Sequence, residues 1–211
     1  FLDVDSIQAD FPNYYFNRNN EELGCQLKVS GCSDIENHSA LQWGIADYWY
    51  VRCQCEGEIN YKKQNYQIQA SGILKHSRAI HLPFIAFHFF TYQVIQVNAD
   101  LQIILTELRN QWNNIIFSRI EIQSYEQTVI LYDHHVLFEV THVYPKVQTP
   151  NGREMYLPRS FAWQYQQDGK VIFQLHAQSR GDFKFGLAAG YVGSFNYQLM
   201  WNNQNYEGSG Y

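Results

Sequence analysis

The stretch that decides the fold is residues 49–61, WYVRCQCEGEINY, in which small or apolar side chains alternate with polar ones. The small or apolar set is Trp49, Val51, Cys53, Cys55, Gly57, Ile59 and Tyr61. A period of two over this length indicates one long β-strand with one buried face. The same alternation resumes at 65–74, NYQIQASGIL, after a short polar turn. Together the two segments predict a long β-hairpin, which belongs to a barrel or a large curved sheet.

Alternating segments continue at roughly ten-residue spacing from Leu41 onward, as expected for an antiparallel barrel or sandwich. The clearest of them are 116–122, 136–144 and 171–177. Asp168-Gly169 predicts a tight hairpin turn. The segment 101–112 fits a helix or a strand, and its β-branched residues and its neighbours favour a strand. Because no segment has a convincing helical period, we predict an all-β chain that folds as an antiparallel barrel.

The domain organisation is predicted from length and composition. The 211 residues suffice for one large β domain, and a composition of 45% apolar and 17% aromatic residues can fill a sizeable core. No linker rich in proline, glycine or serine divides the chain. Residues 1–40 are predicted to form an N-terminal arm with one or two edge strands. Residues 41–211 are predicted to form the barrel, within a single domain overall.

Charge and hydropathy exclude several classes of function. The formal net charge is −5 and no basic stripe is present, which argues against nucleic-acid binding. No stretch reaches the ~18 consecutive apolar residues that a transmembrane helix needs, so a soluble chain is expected. The chain begins with Phe1 rather than methionine and has no signal peptide, which suggests a trimmed or internal start. The compartment and the oligomeric state therefore stay open.

The cysteines and histidines do not predict a metal site. Cys53 and Cys55 share one strand face and are interpreted as small buried apolar residues. Cys25 and Cys32 flank a turn and are the only candidates for a local pair. Residues 133–135, Asp-His-His, are interpreted as a hairpin turn, because adjacent side chains on a strand point to opposite faces. Since no complete four-ligand set exists, we expect no metal and no other cofactor.

Four short motifs resemble a known group of proteins. They are 46–52 (ADYWYVR), 71–76 (SGILKH), 157–163 (LPRSFAW) and 206–211 (YEGSGY). These motifs resemble uncharacterised bacterial lipocalin-like proteins, which are similar to the AttH and carotenoid-hydratase group. In those relatives an acidic residue commonly precedes the aromatic residue or histidine that ends the 71–76 motif, whereas Lys75 precedes His76 here. The resemblance covers residues 40–211 and implies a calycin-like barrel with a pocket for an apolar small molecule.

Three residues are candidates for acid–base chemistry. His76 and His142 each end an apolar strand face, where burial could adjust an imidazole toward neutral pH. Each is also compatible with a core histidine satisfied by a backbone carbonyl or a tyrosine. Asp47 precedes Trp49 and is either a carboxylate at the barrel rim or a residue of the turn that starts the strand.

A ligand-binding wall is predicted separately. Its aromatic members are Trp49, Trp163 and Phe195, with Arg52 and Arg159 near the rim. The same residues also describe an ordinary barrel whose interior is filled by side chains.

Two functions follow, and the sequence does not decide whether the protein is an enzyme. The leading hypothesis is a carrier or sensor that binds a small lipophilic molecule inside the barrel, because no complete catalytic set is present. The alternative is a hydratase, isomerase or cyclase that uses Asp47, His76 or His142 on an apolar substrate. A weaker third hypothesis is a packed domain that makes protein contacts.

Overall fold

The computed structural model describes residues 6–19, 23–31, 36–41, 46–79, 87–124, 129–150, 152–185 and 190–211, without the side chains of 36–48 and 76–88. Every regular element in these ranges is a β-strand and all paired strands are antiparallel, which confirms the all-β prediction. In the described ranges, no helix has the length and hydropathy needed to cross a membrane. The chain divides into two compact units, Phe1–Leu82 and Pro83–Tyr211. The predicted single-domain organisation stays a prediction.

Unit 1 is an antiparallel sheet built around the predicted hairpin. Its strands are β1 (Ser6–Asp10), β2 (Asn13–Arg18), β3 (Leu23–Gly31), β4 (Glu36–Leu41), β5 (Ala46–Tyr61) and β6 (Gln64–Ala79). The strand order is β1-β2-β3-β5-β4, and β6 pairs with β5. The β5–β6 ladder runs without a register shift from Tyr61 opposite Gln64 to Ala46 opposite Ala79. The sequence period therefore predicted the hairpin and its turn, while β5 and β6 both extend beyond the predicted segments 49–61 and 65–74.

The two faces of β5 follow the predicted alternation only in part. Val51 is 0% and Cys53 is 2% exposed, whereas Gln54 is exposed, which confirms the register. Tyr50 and Arg52 lie on the opposite face and are also buried, at 1% and 6% exposure. Both faces of the strand are therefore covered between residues 50 and 53. The alternation cannot predict that both faces are covered, because it separates the two faces of a strand but does not show whether solvent or another element lies against the polar one.

Gly57 is required by the close pairing of β3 with β5. Its φ angle is +145°, and a Cβ atom at this position would lie 2.0 Å from the carbonyl oxygen of Gln26. That oxygen is backbone and cannot move aside without breaking the ladder. By contrast, a Cβ atom at Gly72, on the neighbouring strand β6, would meet nothing within 4 Å.

We expect Gly57→Ala to lower the free energy of unfolding by roughly 1–3 kcal/mol, since the clash and the unfavourable φ add together. Gly72→Ala is the matched control and should change it by less than about 0.5 kcal/mol or raise it slightly. Urea denaturation followed by circular dichroism measures both. Equal effects of the two substitutions would contradict the steric argument.

Unit 2 is dominated by a nine-stranded antiparallel sheet that is nearly closed on itself. The order is β10-β9-β8-β7-β19-β18-β15-β14-β11, and two short pairs, β12–β13 and β16–β17, lie outside it. The bounds are β7 Phe87–Gln96, β8 Leu101–Asn110, β9 Ile115–Ser124, β10 Val129–Tyr132, β11 Val136–Val143, β12 Val147–Gln148, β13 Glu154–Met155, β14 Pro158–Gln167, β15 Lys170–Ser179, β16 Lys184–Phe185, β17 Tyr191–Val192, β18 Phe195–Trp201 and β19 Gln204–Gly210.

Two local predictions in unit 2 are confirmed and one is wrong. Segment 101–110 is strand β8, and Asp168-Gly169 turns β14 into β15 with both φ angles positive. Residues 133–135 do not form a hairpin turn, because β10 pairs with β9 while β11 pairs with β14. They instead link the two end strands of the nine-stranded order. A turn-like composition shows where a strand ends but not which strand it pairs with.

The core of unit 2 lies inside the barrel-like sheet. Its buried members are Ile95, Leu101, Ile103, Leu105, Ile120, Ile122, Val136, Phe138, Phe161, Trp163, Phe173, Leu175, Ala177, Phe195, Tyr197 and Leu199. At the centre, Trp163, Phe173 and Leu175 are 0% exposed. Interiors of small barrels are commonly filled by side chains in this way. A ligand could touch these three residues only if neighbouring side chains moved.

Candidate functional site

The predicted ligand wall is divided between the two units. Trp49 is half-buried and Arg52 is buried in unit 1, while Arg159 is exposed in unit 2. Trp163 and Phe195 lie together in the core of unit 2. Phe138 joins them, because its ring centroid is 4.6 Å from that of Trp163 and 6.0 Å from that of Phe161, which in turn is 5.1 Å from that of Phe195.

The indole of Trp163 is held in place by hydrogen bonds as well as by packing. Its Nε1 donates to Oε1 of Gln93 at 3.0 Å, and Nε2 of Gln93 donates to Oγ1 of Thr91 at 3.0 Å. Gln93 is itself 7% exposed. A buried polar chain of this kind fixes the ring orientation, since breaking it would leave a buried amide without a partner. Trp163 is therefore part of the fold rather than an available ligand contact.

His142 is not on the apolar face where it was expected. The register of β11 against β14 shifts between Val140 and His142, so a β-bulge moves His142 to the outer face. It is exposed, and its Nδ1 lies 2.8 Å from Oγ of Ser160. The alternation predicted from Val136 and Phe138 fails at His142 because the register against β14 shifts before this residue and shifts back directly after it, at Val143 opposite Pro158.

Asp47 and His76 lie on neighbouring strands of unit 1, and their side chains are outside the described part of the structure. The backbone register places Asp47 opposite Arg78 and Trp49 opposite His76. His76 pairs with Trp49, which is two residues from Asp47, so the two candidates are diagonal neighbours in the β5–β6 ladder. They remain predicted acid–base residues.

The sequence analysis missed a buried carboxyl group in unit 2. Glu107 is 0% exposed, and Oε1 accepts a hydrogen bond from Nε of Arg109 at 2.5 Å. Its other oxygen accepts one from Oγ of Ser118 at 3.0 Å. Burial raises the pKa of this carboxyl group, and the hydrogen bonds from Arg109 and Ser118 counteract part of that rise. Glu107 follows Ile103 and Leu105 on the same face of β8, so the period of two, applied to this strand, would have placed it inside.

Side-chain contacts near Glu107 help to close the nine-stranded sheet of unit 2. Nη2 of Arg109 donates to the carbonyl oxygen of Phe138 at 2.9 Å, which connects β8, the third strand of the order, to β11, the last. Nearby, the rings of Tyr132 and Tyr165 stack at 4.1 Å between β10 and β14. Side chains therefore complete the barrel where no backbone ladder does. Both oxygens of Glu107 are engaged, one by Arg109 and one by Ser118 of β9, so we interpret the Glu107–Arg109 pair as a structural clamp.

An apolar surface of unit 1 remains accessible, and we call it the open face. It consists of three rows of directly opposed residues on β2, β3, β5 and β6. The rows are Tyr14-Val29-Cys55-Ala70, Phe16-Leu27-Gly57-Ile68 and Arg18-Cys25-Ile59-Tyr66. None of the twelve is fully buried, and Tyr66 is 45% exposed. Because Cys55, Gly57 and Ala70 are small, the middle of the open face forms a depression between the larger side chains of Leu27, Ile59 and Ile68.

The Cys55 thiol of the open face is an apolar lining group rather than a reactive one. Cys25 and Cys55 are free and half-buried. Burial raises the pKa of the Cys55 thiol, and the nearby Cys25 and Glu56 add to the rise. A thiol with a raised pKa is protonated at neutral pH and is a poor nucleophile and metal ligand. Among the described residues, no group of three or more histidine, cysteine or acidic side chains is placed to hold a metal ion.

The antiparallel, barrel-like sheet of unit 2 and the long hairpin sheet of unit 1 define a lipocalin-like β protein. A family model matches residues 1–211, and the chain belongs to that family, whose description is "Family of unknown function (DUF6670)". No curated protein matches the chain in sequence.

Two crystal structures show the same fold at low sequence identity. One is a protein assigned as AttH from Nitrosomonas europaea, with a TM-score of 0.71 and 8% identity over 97% of this chain and 65% of that one. The other is kievitone hydratase from Nectria haematococca, with a TM-score of 0.69 and 10% identity over 100% of this chain and 68% of that one. The chain thus spans about two thirds of the length of each. These similarities confirm the predicted lipocalin-like fold.

Proposed function

We propose that this protein binds a small lipophilic molecule on the open face of unit 1. The observation that carries the proposal is the accessibility of three adjacent rows of mostly apolar residues on β2, β3, β5 and β6. A contiguous exposed apolar surface on a folded protein commonly marks a binding site. The resemblance in fold to a hydratase and to AttH is compatible with a lipophilic ligand but does not identify it.

The open face suits a ligand better than the centre of unit 2 does. Trp163 and Phe173 have no exposed surface, so a ligand there would first have to displace packed side chains. On the open face, Ala70 is exposed and Cys55 and Ile68 are half-exposed, so a ligand gains apolar contact without rearrangement. Covering about 300 Å² of apolar surface yields roughly 7 kcal/mol before entropic losses. We therefore expect a dissociation constant in the micromolar range or weaker.

We expect Ala70→Trp to weaken binding of a neutral lipophilic dye, N-phenyl-1-naphthylamine, by at least about tenfold, or 1.4 kcal/mol. The added indole would fill the low middle of the open face. Fluorescence titration of the dye measures the dissociation constant. Gln69→Trp is the matched control, because Gln69 is exposed on the polar face of the same strand. Equal loss in both variants, or no dye binding to the unaltered protein, would refute this location.

A second function, a hydratase, isomerase or cyclase, is favoured by the register of Asp47 and His76. A carboxyl group and an imidazole on adjacent strands could act as an acid–base pair on an apolar substrate. Turnover of a bound compound that is lost in both Asp47→Asn and His76→Ala would establish this function in place of simple binding. His142→Ala is the control for losing a histidine, since His142 is exposed on the outer face of unit 2.

A further inference from the structure

We infer that strand β6 pairs in antiparallel orientation with β6 of a second copy of this chain, which makes a symmetric dimer. The inference goes beyond the proposed function and does not depend on any ligand. It rests on the edge of β6 that faces away from β5, which we call the free edge. The edge of a β-sheet carries a row of backbone donors and acceptors, and pairing with a further strand satisfies them.

The free edge has no partner strand in the part of the chain that the structure describes. β6 runs from Gln64 to Ala79 and pairs with β5 along its whole length, and no other described strand is joined to it. All residues from Gln64 to Ala70 except Ile68 are exposed, and Ile68 is half-buried. This part of the free edge is therefore accessible to another molecule.

The β5–β6 turn determines which backbone groups point outward. Tyr61 and Gln64 flank a two-residue turn, and residues in that position exchange hydrogen bonds with each other. Because hydrogen-bonded pairs alternate along an antiparallel ladder, the even-numbered residues of β6 bond to β5 and the odd-numbered residues bond outward. Gln67, Gln69 and Ser71 therefore direct their N–H and C=O groups toward the free edge.

The free edge lacks the features by which natural edge strands avoid pairing. Those features are short length, proline, bulges and charged side chains. Residues 64–74 of β6 include no proline and no charged residue, and the ladder with β5 has no register shift. By contrast, the edge strand β1 has only five residues, ends at Asp10 and is followed closely by Pro12. Of these two strands, β6 is the one that favours pairing.

A second copy of the chain suits the free edge because residues 64–74 are complementary to themselves. In an antiparallel pair centred on Ala70, Gln69 of each copy exchanges backbone hydrogen bonds with Ser71 of the other. On the side of the open face, the opposed pairs are Ala70-Ala70, Ile68-Gly72 and Tyr66-Leu74. These pairs combine apolar side chains with small ones, and no like charges meet anywhere in the segment.

The pairing closes after two copies. Two identical antiparallel strands are related by a two-fold axis, so the same surface is used on both sides and no free edge of β6 is left. The open faces of the two copies would lie on the same side of one continuous sheet. Eleven residues from each copy are fewer than the roughly twenty to thirty of a standard interface, so we expect a dissociation constant of about 10–100 µM.

The test is sedimentation equilibrium of the chain without ligand, from about 5 to about 500 µM, which brackets that range. We expect a monomer–dimer equilibrium. Gln69→Pro removes an N–H group from the free edge and none that bonds to β5, so the dissociation constant should rise at least about tenfold. Urea denaturation should show that this variant stays folded. Gln69→Thr is the matched control, because it keeps the N–H group and should keep the dimer.

Cross-linking tests the register. Ala70 opposes its own counterpart in a pair without hydrogen bonds, where the Cα atoms lie about 4.5 Å apart and a disulfide can form. The background is Cys55→Ala, since Cys55 directly opposes Ala70 within the chain. In it, Ala70→Cys should give a disulfide-linked dimer on mild oxidation, well above the level of the background protein. Ile68→Cys should not, because four residues offset its two copies by about 14 Å along the strands.

Monomer at every concentration would overturn the inference and leave the proposed function intact, since dye binding to the open face needs no second copy. A dimer that survives Gln69→Pro as well as Gln69→Thr would overturn the assignment to the free edge. Cross-linking of Ile68→Cys at least as strong as that of Ala70→Cys would overturn the register. Species larger than a dimer would overturn the closed, symmetric pairing.

Discussion

Replacing Arg109 with methionine is expected to lower the free energy of unfolding by roughly 3–5 kcal/mol. Arg109 provides the charge partner of Glu107, which is 0% exposed, and donates to the carbonyl oxygen of Phe138 at 2.9 Å. Its removal leaves a carboxylate inside an apolar barrel without its cation and removes the bond that connects β8 to β11. Urea denaturation at pH 7, followed by tryptophan fluorescence and circular dichroism, measures the loss.

The pH dependence identifies the cause of that loss. Burial raises the pKa of Glu107 above its ordinary value of 4.5, so the folded protein binds this proton more tightly than the unfolded chain does. This contribution to stability is present at acid pH and is lost as pH rises from about 4.5 through the folded pKa. Arg109 counteracts the rise, so Arg109→Met should raise the pKa further and steepen the decline. The double variant Glu107→Gln, Arg109→Met should remove the dependence and recover part of the stability.

A difference below about 1 kcal/mol between Arg109→Met and the unaltered protein at pH 7 would show that water or another group solvates Glu107. The barrel closure would then depend on packing alone, and the clamp interpretation would be wrong.

Replacing Trp163 with alanine is expected to cost about 3–5 kcal/mol, the range for deleting a large aromatic side chain from a packed core. The indole is 0% exposed and packs against the tilted ring of Phe138, so its removal leaves a cavity in the core. It also takes the hydrogen-bond donor from Oε1 of Gln93. Thermal and urea unfolding both report the change.

Two further variants give the scale of that effect. Trp163→Phe keeps most of the volume but still deprives Gln93 of its donor, so it should lose about 1–3 kcal/mol. Trp112→Ala removes an indole that is 72% exposed and should stay within about 0.5 kcal/mol of the unaltered protein. If Trp163→Ala is no worse than Trp112→Ala, the centre of unit 2 is not filled as described. The centre of unit 2 would then again be a candidate ligand cavity.

Much of the fold could be predicted from local pattern. The period of two from Trp49 to Tyr61 predicted both the β5–β6 hairpin and which side of the strand carries Val51 and Cys53. The pair Asp168-Gly169 predicted its turn because the two φ angles must be positive there. These features depend on residues close in sequence, and the alternation of side chains is a property of the extended backbone itself.

The failures share one cause, which is pairing between distant segments. The sequence pattern placed His142 on the wrong face because the pairing of β11 with β14 contains a bulge at this residue. No residue near His142 in the sequence indicates that bulge. Residues 133–135 look like a hairpin turn, yet the strands on either side pair elsewhere. Glu107 shares a face with Ile103 and Leu105, but its role depends on Phe138, which lies 29 residues beyond Arg109.

The candidate site shows the same division. The sequence marked Trp49, Trp163 and Phe195 as aromatic residues of an inner wall, and all three lie on β-strands. It could not show that Trp163 is sealed in a filled core or that the rows around Gly57 stay accessible. Burial depends on what covers a face, and the covering elements come from other parts of the chain.

By itself, the sequence determined that this protein is all-β, where its long hairpin runs and which residues share a strand face. Each of these follows from steric rules that act between neighbours along the chain. Only the tertiary structure decided that the interior of unit 2 is filled, that Arg52 is buried and that the rows of the open face stay accessible. Those outcomes depend on which distant strands pair and pack, because strand pairing places Cys25 directly opposite Ile59 although 34 positions separate them in the sequence.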